Sequence, residues 1–209
     1  KNAMHLMRAE VPGPEADKLV PKARNTAKIL YGMYFALTVL EVIFLLFGKM
    51  NLYDSIVHSF STAGTGGFSN WNNSVAYYNS AYIDGVITVF MILFGVNFNI
   101  YFLLLLKQFK AVFHNEELKA YLGIIAGSIA VITVNILKIY GNPLKAFRYA
   151  SFQVASVITT TGFCTANYDL WPELSKCILL AIMVIGACAG STGGGIKVSR
   201  LLILFKSVK

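Results

Sequence analysis

Apolar positions fall into four long runs, and between the members of each pair lies a shorter amphipathic stretch. Residues 27–48 (AKILYGMYFALTVLEVIFLLFG) form the first run. At about 1.5 Å rise per residue it is long enough to cross a hydrocarbon core of about 30 Å. Residues 52–63 (LYDSIVHSFSTA) are amphipathic and too short to cross. A glycine-rich strip, Ala63-Gly64-Thr65-Gly66-Gly67, and a polar loop, SNWNNSVAYYNS, follow. The second run, 81–106, carries Gly95, Asn97 and Asn99 near its middle, and the link KQFKAVFHNEELK is polar. A third run covers about 121–137. The second short stretch, 143–156, has Asn142 as its N-cap and Pro143 at the first helical position. The last run, 174–205, is interrupted by GSTGGGIK. The pattern predicts an all-α integral membrane fold of two helix–re-entrant loop–helix repeats. After a lead-in at 1–26, the first repeat spans 27–110, with an outer helix at 27–48, a short helix and strip at 52–69 and an inner helix at 81–106. The second spans 111–209, with the corresponding parts at 120–138, 143–164 and 174–206.

The repeat shows in the residues themselves. HSFSTAGTGGFS at 58–69 lies over QVASVITTTGFC at 153–164 with an offset of 95, placing Ser61 on Ser156, Thr65 on Thr160, Gly67 on Gly162 and Phe68 on Phe163. Met91-Ile92-Leu93-Phe94-Gly95 matches Ile182-Met183-Val184-Ile185-Gly186 at an offset of 91. Several matches in one order point to duplication.

Composition agrees with a membrane location: 56% of the 209 residues are hydrophobic, 13% are charged, and mean hydropathy is +0.60. The net charge of +8 follows topology and forms no basic face with interleaved aromatics, which argues against nucleic-acid binding. Lys and Arg concentrate in the N-terminal stretch, the 107–119 link and the C-terminal end, so the positive-inside rule predicts both ends of the chain in the cytoplasm. Cys164, Cys177 and Cys188 have no CxxC spacing, and with His5, His58 and His114 scattered they read as free thiols. No signal-peptide pattern is legible at the start.

Non-helical backbone at membrane depth survives only where it is buried in protein or lines a watery cavity. Ala63 to Gly67 and their partners Ile158, Thr159, Thr160, Thr161 and Gly162 have what a carbonyl-lined cation passage needs. Glycine lets successive carbonyls turn inward, threonine hydroxyls add oxygen ligands, and each short helix directs its negative end at the strip. The alternative, a small-residue helix-packing motif, leaves the short helix before each strip without a role.

On these residues the chain resembles the second half of a Trk/Ktr/HKT-type potassium transporter membrane subunit, of the TrkH-like branch. HSFSTAGTGGFS, TTTGF and GACAGSTGGGIKVSR resemble that family's third filter, fourth filter and last inner helix. The resemblance implies a potassium-channel-like pore of four repeats, two of them outside this chain. It implies potassium as the transported ion, held by the backbone carbonyls of Thr65, Gly66, Thr160 and Thr161, with Gly67 and Gly162 at the selectivity-glycine positions and no organic cofactor. It further implies a homodimer, a cytoplasmic nucleotide-binding regulatory subunit of the TrkA/KtrA type, and the bacterial inner (plasma) membrane as location. Sodium or mixed transport is the alternative, because the family sets that choice in the first repeat.

Gly95, Asn97 and Asn99 resemble the family's broken inner helix, which obstructs the pore as a gate; amides bonding across a helix interface are the other reading. Arg200 resembles the arginine that faces this obstruction, against a side chain that snorkels to the interface. Gly190, Gly193, Gly194 and Gly195 suit a hinge in the last inner helix. GSTGGGIK is not read as a phosphate loop, since Ile196 precedes Lys197 and an apolar helix replaces the usual strand. Glu41, in mid-span, is expected to hydrogen-bond inside the protein. No Ser–His, paired-Asp or HExxH arrangement supports an enzyme, and a purely structural membrane subunit is a further alternative.

Overall fold

A computed structural model describes residues 23–207, with side chains from position 27. The chain is helical throughout, with no strand among the described residues. Helix α1 runs Ala23–Phe47, α2 Leu52–Ala63, α3 Ala81–Phe94, α4 Phe98–Leu105, α5 Phe109–His114, α6 Glu116–Tyr140, α7 Pro143–Ile158, α8 Glu173–Ile185 and α9 Val198–Ser207. The lead-in expected at 1–26 lies outside the described residues up to position 22, and α1 takes its last four residues. Short 3₁₀ turns at Ser74–Tyr78 and Tyr168–Leu170 punctuate the two loops that follow the strips.

The ends of these helices are written locally. Asn51 caps α2 by accepting from the Asp54 amide at 2.7 Å, and Asn142 caps α7 with Pro143 next in line. Asn115 accepts from the Leu118 amide at the start of α6, and Gly141 closes α6 in the left-handed region (φ 63°).

Two helices, α1 and α6, are long and apolar enough to cross a membrane unbroken. In both, 17% of the most apolar window is buried within the chain, so the rest faces lipid or further protein. The expected inner helices are both broken. The first bends by 89° between α3 and α4 at residues 95–97. The run expected as one inner helix over 174–206 is instead α8 and α9, separated by irregular backbone at 186–197. Gly186 ends α8 at φ 73°, ψ −163°, a conformation open in practice only to glycine, so the helix cannot continue through it.

The largest apolar cluster packs α6, α7 and α8 around Tyr121, Ile132, Ile136, Ala150 and Ile158. A second joins the repeats through Leu45, Ile87, Met91, Phe152 and Phe163. An ion pair crosses the same junction, Arg148 Nε donating to Asp84 Oδ2 at 2.7 Å.

Candidate functional site

The two short helices α2 and α7 end in the same way. Gly64 and Thr159 are their C-caps, and Thr65 and Thr160 follow in the left-handed region at φ 49° and 58°. The amides of Thr65 and Gly66 bond back to the Thr62 and Ser61 carbonyls at 3.1 and 2.8 Å. Those of Thr160 and Thr161 bond back to Val157 and Ser156 at 3.1 and 2.9 Å. This is a Schellman closure, ordinarily built on glycine at the left-handed position. Threonine, β-branched, occupies it in both repeats. Two residues on, Gly67 and Gly162 are again left-handed, at φ 68° and 89°.

The bonding is one-sided. The amides of residues 64–66 and 159–162 are spent on the helix ends, while the carbonyls of Thr65, Gly66, Gly67, Thr160 and Thr161 accept no hydrogen bond from the described residues. The negative ends of α2 and α7 add to this concentration of oxygen.

The strips also meet. A Cβ on Gly67 would land on the Thr161 carbonyl, with the Gly162 carbonyl carbon 3.2 Å away. Phe163, fully buried, stacks on His58 of the other repeat with centroids 5.7 Å apart. Phe68, its counterpart, is 75% exposed, and a Cβ on Gly162 would meet nothing within 4 Å. So one edge of each unit is used and the equivalent edge of the other is bare. Two sectors of a ring have that property. Phe163→Leu keeps most of the buried volume but loses the stack, and should lower stability by about 1 kcal/mol. Thermal denaturation of the full-length protein in detergent would measure it.

Beneath the strips the two helix breaks touch. The Cys188 amide donates to the Gly95 carbonyl at 3.1 Å and the Phe98 amide to the Gly190 carbonyl at 3.2 Å. Gly95 is buried where a Cβ would strike the Tyr121 hydroxyl and lie 2.9 Å from Thr159 Cγ2. Asn97 is buried and caps α4, accepting from the Asn99 amide at 2.9 Å. Arg200 is exposed on α9, and its side chain makes no ion pair or hydrogen bond among the described residues. Gly190, Gly193, Gly194 and Gly195 lie in the irregular 186–197 segment.

The TrkH family model, described as a cation transport protein, matches residues 1–209. The chain belongs to the TrkH family. It is 40% identical over 207 residues to the Trk system potassium uptake protein TrkH of Salmonella typhimurium, and 39% to that of Escherichia coli K12. Each alignment covers 97% of this chain and 43% of the relative. The crystal structure of the potassium transporter TrkH from Vibrio parahaemolyticus matches with a TM-score of 0.86 and 34% identity, over 98% of this chain and 45% of that one. This TrkH-family chain thus spans less than half the length of the relatives it matches. Its fold is the pore-loop helix repeat architecture, and its family is one of transport proteins, not enzymes.

Other features of the TrkH-family chain surround the strips. At the start of α2 the Asp54 carboxylate accepts from Tyr78 at 2.6 Å, Asn70 at 2.7 Å, Asn51 at 3.0 Å and Trp71 at 3.3 Å. Burial alone would raise this acid; the donors from Tyr78, Asn70 and Trp71 outweigh it and hold the group below the usual carboxylate range. Burial, then the bond to Asp54, pushes the Tyr78 phenol up, so it stays a donor. His58 Nδ1 must donate to the Asp54 carbonyl, at 2.8 Å, because a carbonyl only accepts; its Nε2 then accepts from Ser69 Oγ at 3.0 Å. This net braces the first strip's loop. Glu41 is fully buried against α2 and neither oxygen finds a hydrogen-bond partner among the described residues, contrary to expectation.

Two charged residues to which the sequence assigns no role, Glu117 and Lys197, reach this region. The Ala189 amide donates to Glu117 Oε1 at 2.6 Å, and buried Lys197 donates from Nζ to the Gly193 carbonyl. Both partners are backbone atoms, which side-chain patterns do not reveal.

Proposed function

We propose that this chain forms two consecutive walls of a cation-selective pore in the membrane subunit of a potassium uptake system. The observation that carries the reading is the one-sided bonding of the strips. Thr161 is buried, Thr65 and Thr160 are half-buried and Gly66 is open in this chain, so these donor-free carbonyls are available to replace water around a dehydrated cation. Residues 63–67 and 158–162 are the filter, with the carbonyls of Thr65, Gly66, Thr160 and Thr161 as potassium ligands. The joined breaks at Gly95, Asn97 and Asn99 and at 190–195 form the constriction below it. Arg200 acts at the cytoplasmic mouth when the subunit is complete. Two further repeats close the ring on the bare edges at Phe68 and Gly162, and the named relatives, each a potassium uptake protein, support the choice of ion. The subunit sits in the bacterial inner membrane with both ends of this segment cytoplasmic, as a homodimer bearing a nucleotide-binding regulatory subunit on its basic face.

The test is rubidium uptake into proteoliposomes by the full-length protein, competed with potassium and sodium. Potassium should compete far better than sodium. Equal competition would make the pathway a mixed one, and uptake unaffected by either ion would end the reading. The 209-residue segment alone should carry no selective current, since half a ring leaves the ion incompletely coordinated and backbone open to lipid.

A further inference from the structure

We propose that Glu117 and Lys197 are positioning residues of the filter, fixing the 186–197 loop where it buttresses Thr65 and Thr160. The proposal rests on the filter reading above. A left-handed conformation costs an L-residue about 1–2 kcal/mol, and a β-branched one is an outlier there. Such strain persists only where the surroundings over-determine it. Both strained threonines are held by the same loop. Thr65 Oγ1 donates to the Thr192 carbonyl at 3.2 Å, and the Gly194 amide donates to Thr160 Oγ1 at 2.7 Å.

A glycine-rich loop has no shape of its own, so its fixings decide where Thr192 and Gly194 stand. Its base is zipped: Ile196, Lys197 and Val198 amides bond to the Val184, Ile185 and Ala187 carbonyls at 3.2, 2.9 and 3.1 Å. Its interior is held by two charged side chains. Lys197, 7% exposed and left-handed at φ 82°, turns its amine back onto the Gly193 carbonyl. Glu117 reaches across from α6 to the Ala189 amide. Neither side chain is recorded bonding to the strip, so both act through the loop. Its close fit under the filter needs glycine, since a Cβ on Gly193 would lie 2.9 Å from the Thr159 carbonyl. The segment is therefore a bracket tied at both ends and in the middle, where the glycines alone suggest a free hinge.

The experiment uses the full-length transporter in proteoliposomes and reads the ratio of potassium to sodium competition for rubidium uptake. Size-exclusion chromatography confirms that each variant is folded. Glu117→Gln keeps an acceptor for the Ala189 amide and should stay within about twofold of wild type. Glu117→Leu and Lys197→Met each remove a fixing and should lower the ratio about fivefold, the equivalent of one net hydrogen bond of about 1 kcal/mol. Folded Glu117→Leu and Lys197→Met with unchanged ratios would overturn the proposal. If neither folds, Thr160→Ser and Thr160→Val decide: serine keeps the bond from Gly194 and should keep selectivity, and equal ratios for the two would overturn it. Gly67→Ser and Gly162→Ser run alongside. Should they leave selectivity untouched, the filter assignment fails; should they lose it while the loop variants do not, only the bracket fails.

Discussion

Full-length transporter carrying Gly67→Ala should lose at least about tenfold in its preference for potassium over sodium, more than the same change at Gly162, and far more than at Gly64. Gly67 and Gly162 are both left-handed, so either alanine costs about 1–2 kcal/mol in torsion alone. Gly67 adds a collision that nothing can relieve cheaply, because the atom in the way is the Thr161 carbonyl, itself proposed as an ion ligand. Either that carbonyl rotates away or Gly67 leaves its conformation, and in both cases a ligand is displaced. The Gly162 Cβ meets nothing within 4 Å in this chain, so torsion alone should give a severalfold loss. Gly64 is right-handed at φ −83°, its Cβ would sit 3.2 Å from the Phe60 carbonyl, and Thr159 stands at the equivalent place in the other repeat. Alanine there should be almost silent. Competition of rubidium uptake orders the three, and a Gly67→Ala ratio equal to wild type would take the glycine out of the filter.

The parts legible from sequence are those in which the backbone demands a particular residue type. The offset of 95 was visible because a Schellman closure followed by a second left-handed residue needs glycine at 67 and 162, and a buried serine, Ser61 or Ser156, recurs on the helix before it. Family membership followed from the same residues. What was not legible depends on partners. The run at 174–206 reads as one helix because hydropathy counts side chains, whereas the break is a conformation of Gly186. Lys197 and Glu117 bond to backbone atoms, so no complementary side chain betrays them. Phe68 and Phe163 are the same residue in the same motif, yet one is bare and the other buried, a difference set by which neighbour is present and not by the residues. Asp84 and Arg148 lie 64 positions apart, in an apolar run and on a short amphipathic helix, and only the packing of α3 on α7 joins them.

That ion pair is expected to be the most sensitive single contact for stability. The side chains of Arg148 and Asp84 are 20% and 2% exposed, and their bond ties an inner helix of one repeat to the short helix of the next. Removing one partner of a buried pair strands the other without compensation and costs about 3–5 kcal/mol. Asp84→Leu should therefore destabilise sharply, and so should Arg148→Met, although Arg148 also lies 5.5 Å from the centroid of the Tyr149 ring. Removing both should restore most of the loss, because an apolar pair of similar volume needs no desolvation of charge. The recovery could pass wild type, since Asp84 Oδ1 is buried and unpartnered already. The corresponding positions at the other edge are buried Ser175 and exposed Tyr53, so no second ion pair can substitute. Thermal denaturation of the four proteins in detergent, followed by loss of the monodisperse peak, completes the double-mutant cycle. A double variant as unstable as the worse single one would mean that each residue acts through other neighbours, and that the junction between the repeats is held by its apolar cluster alone.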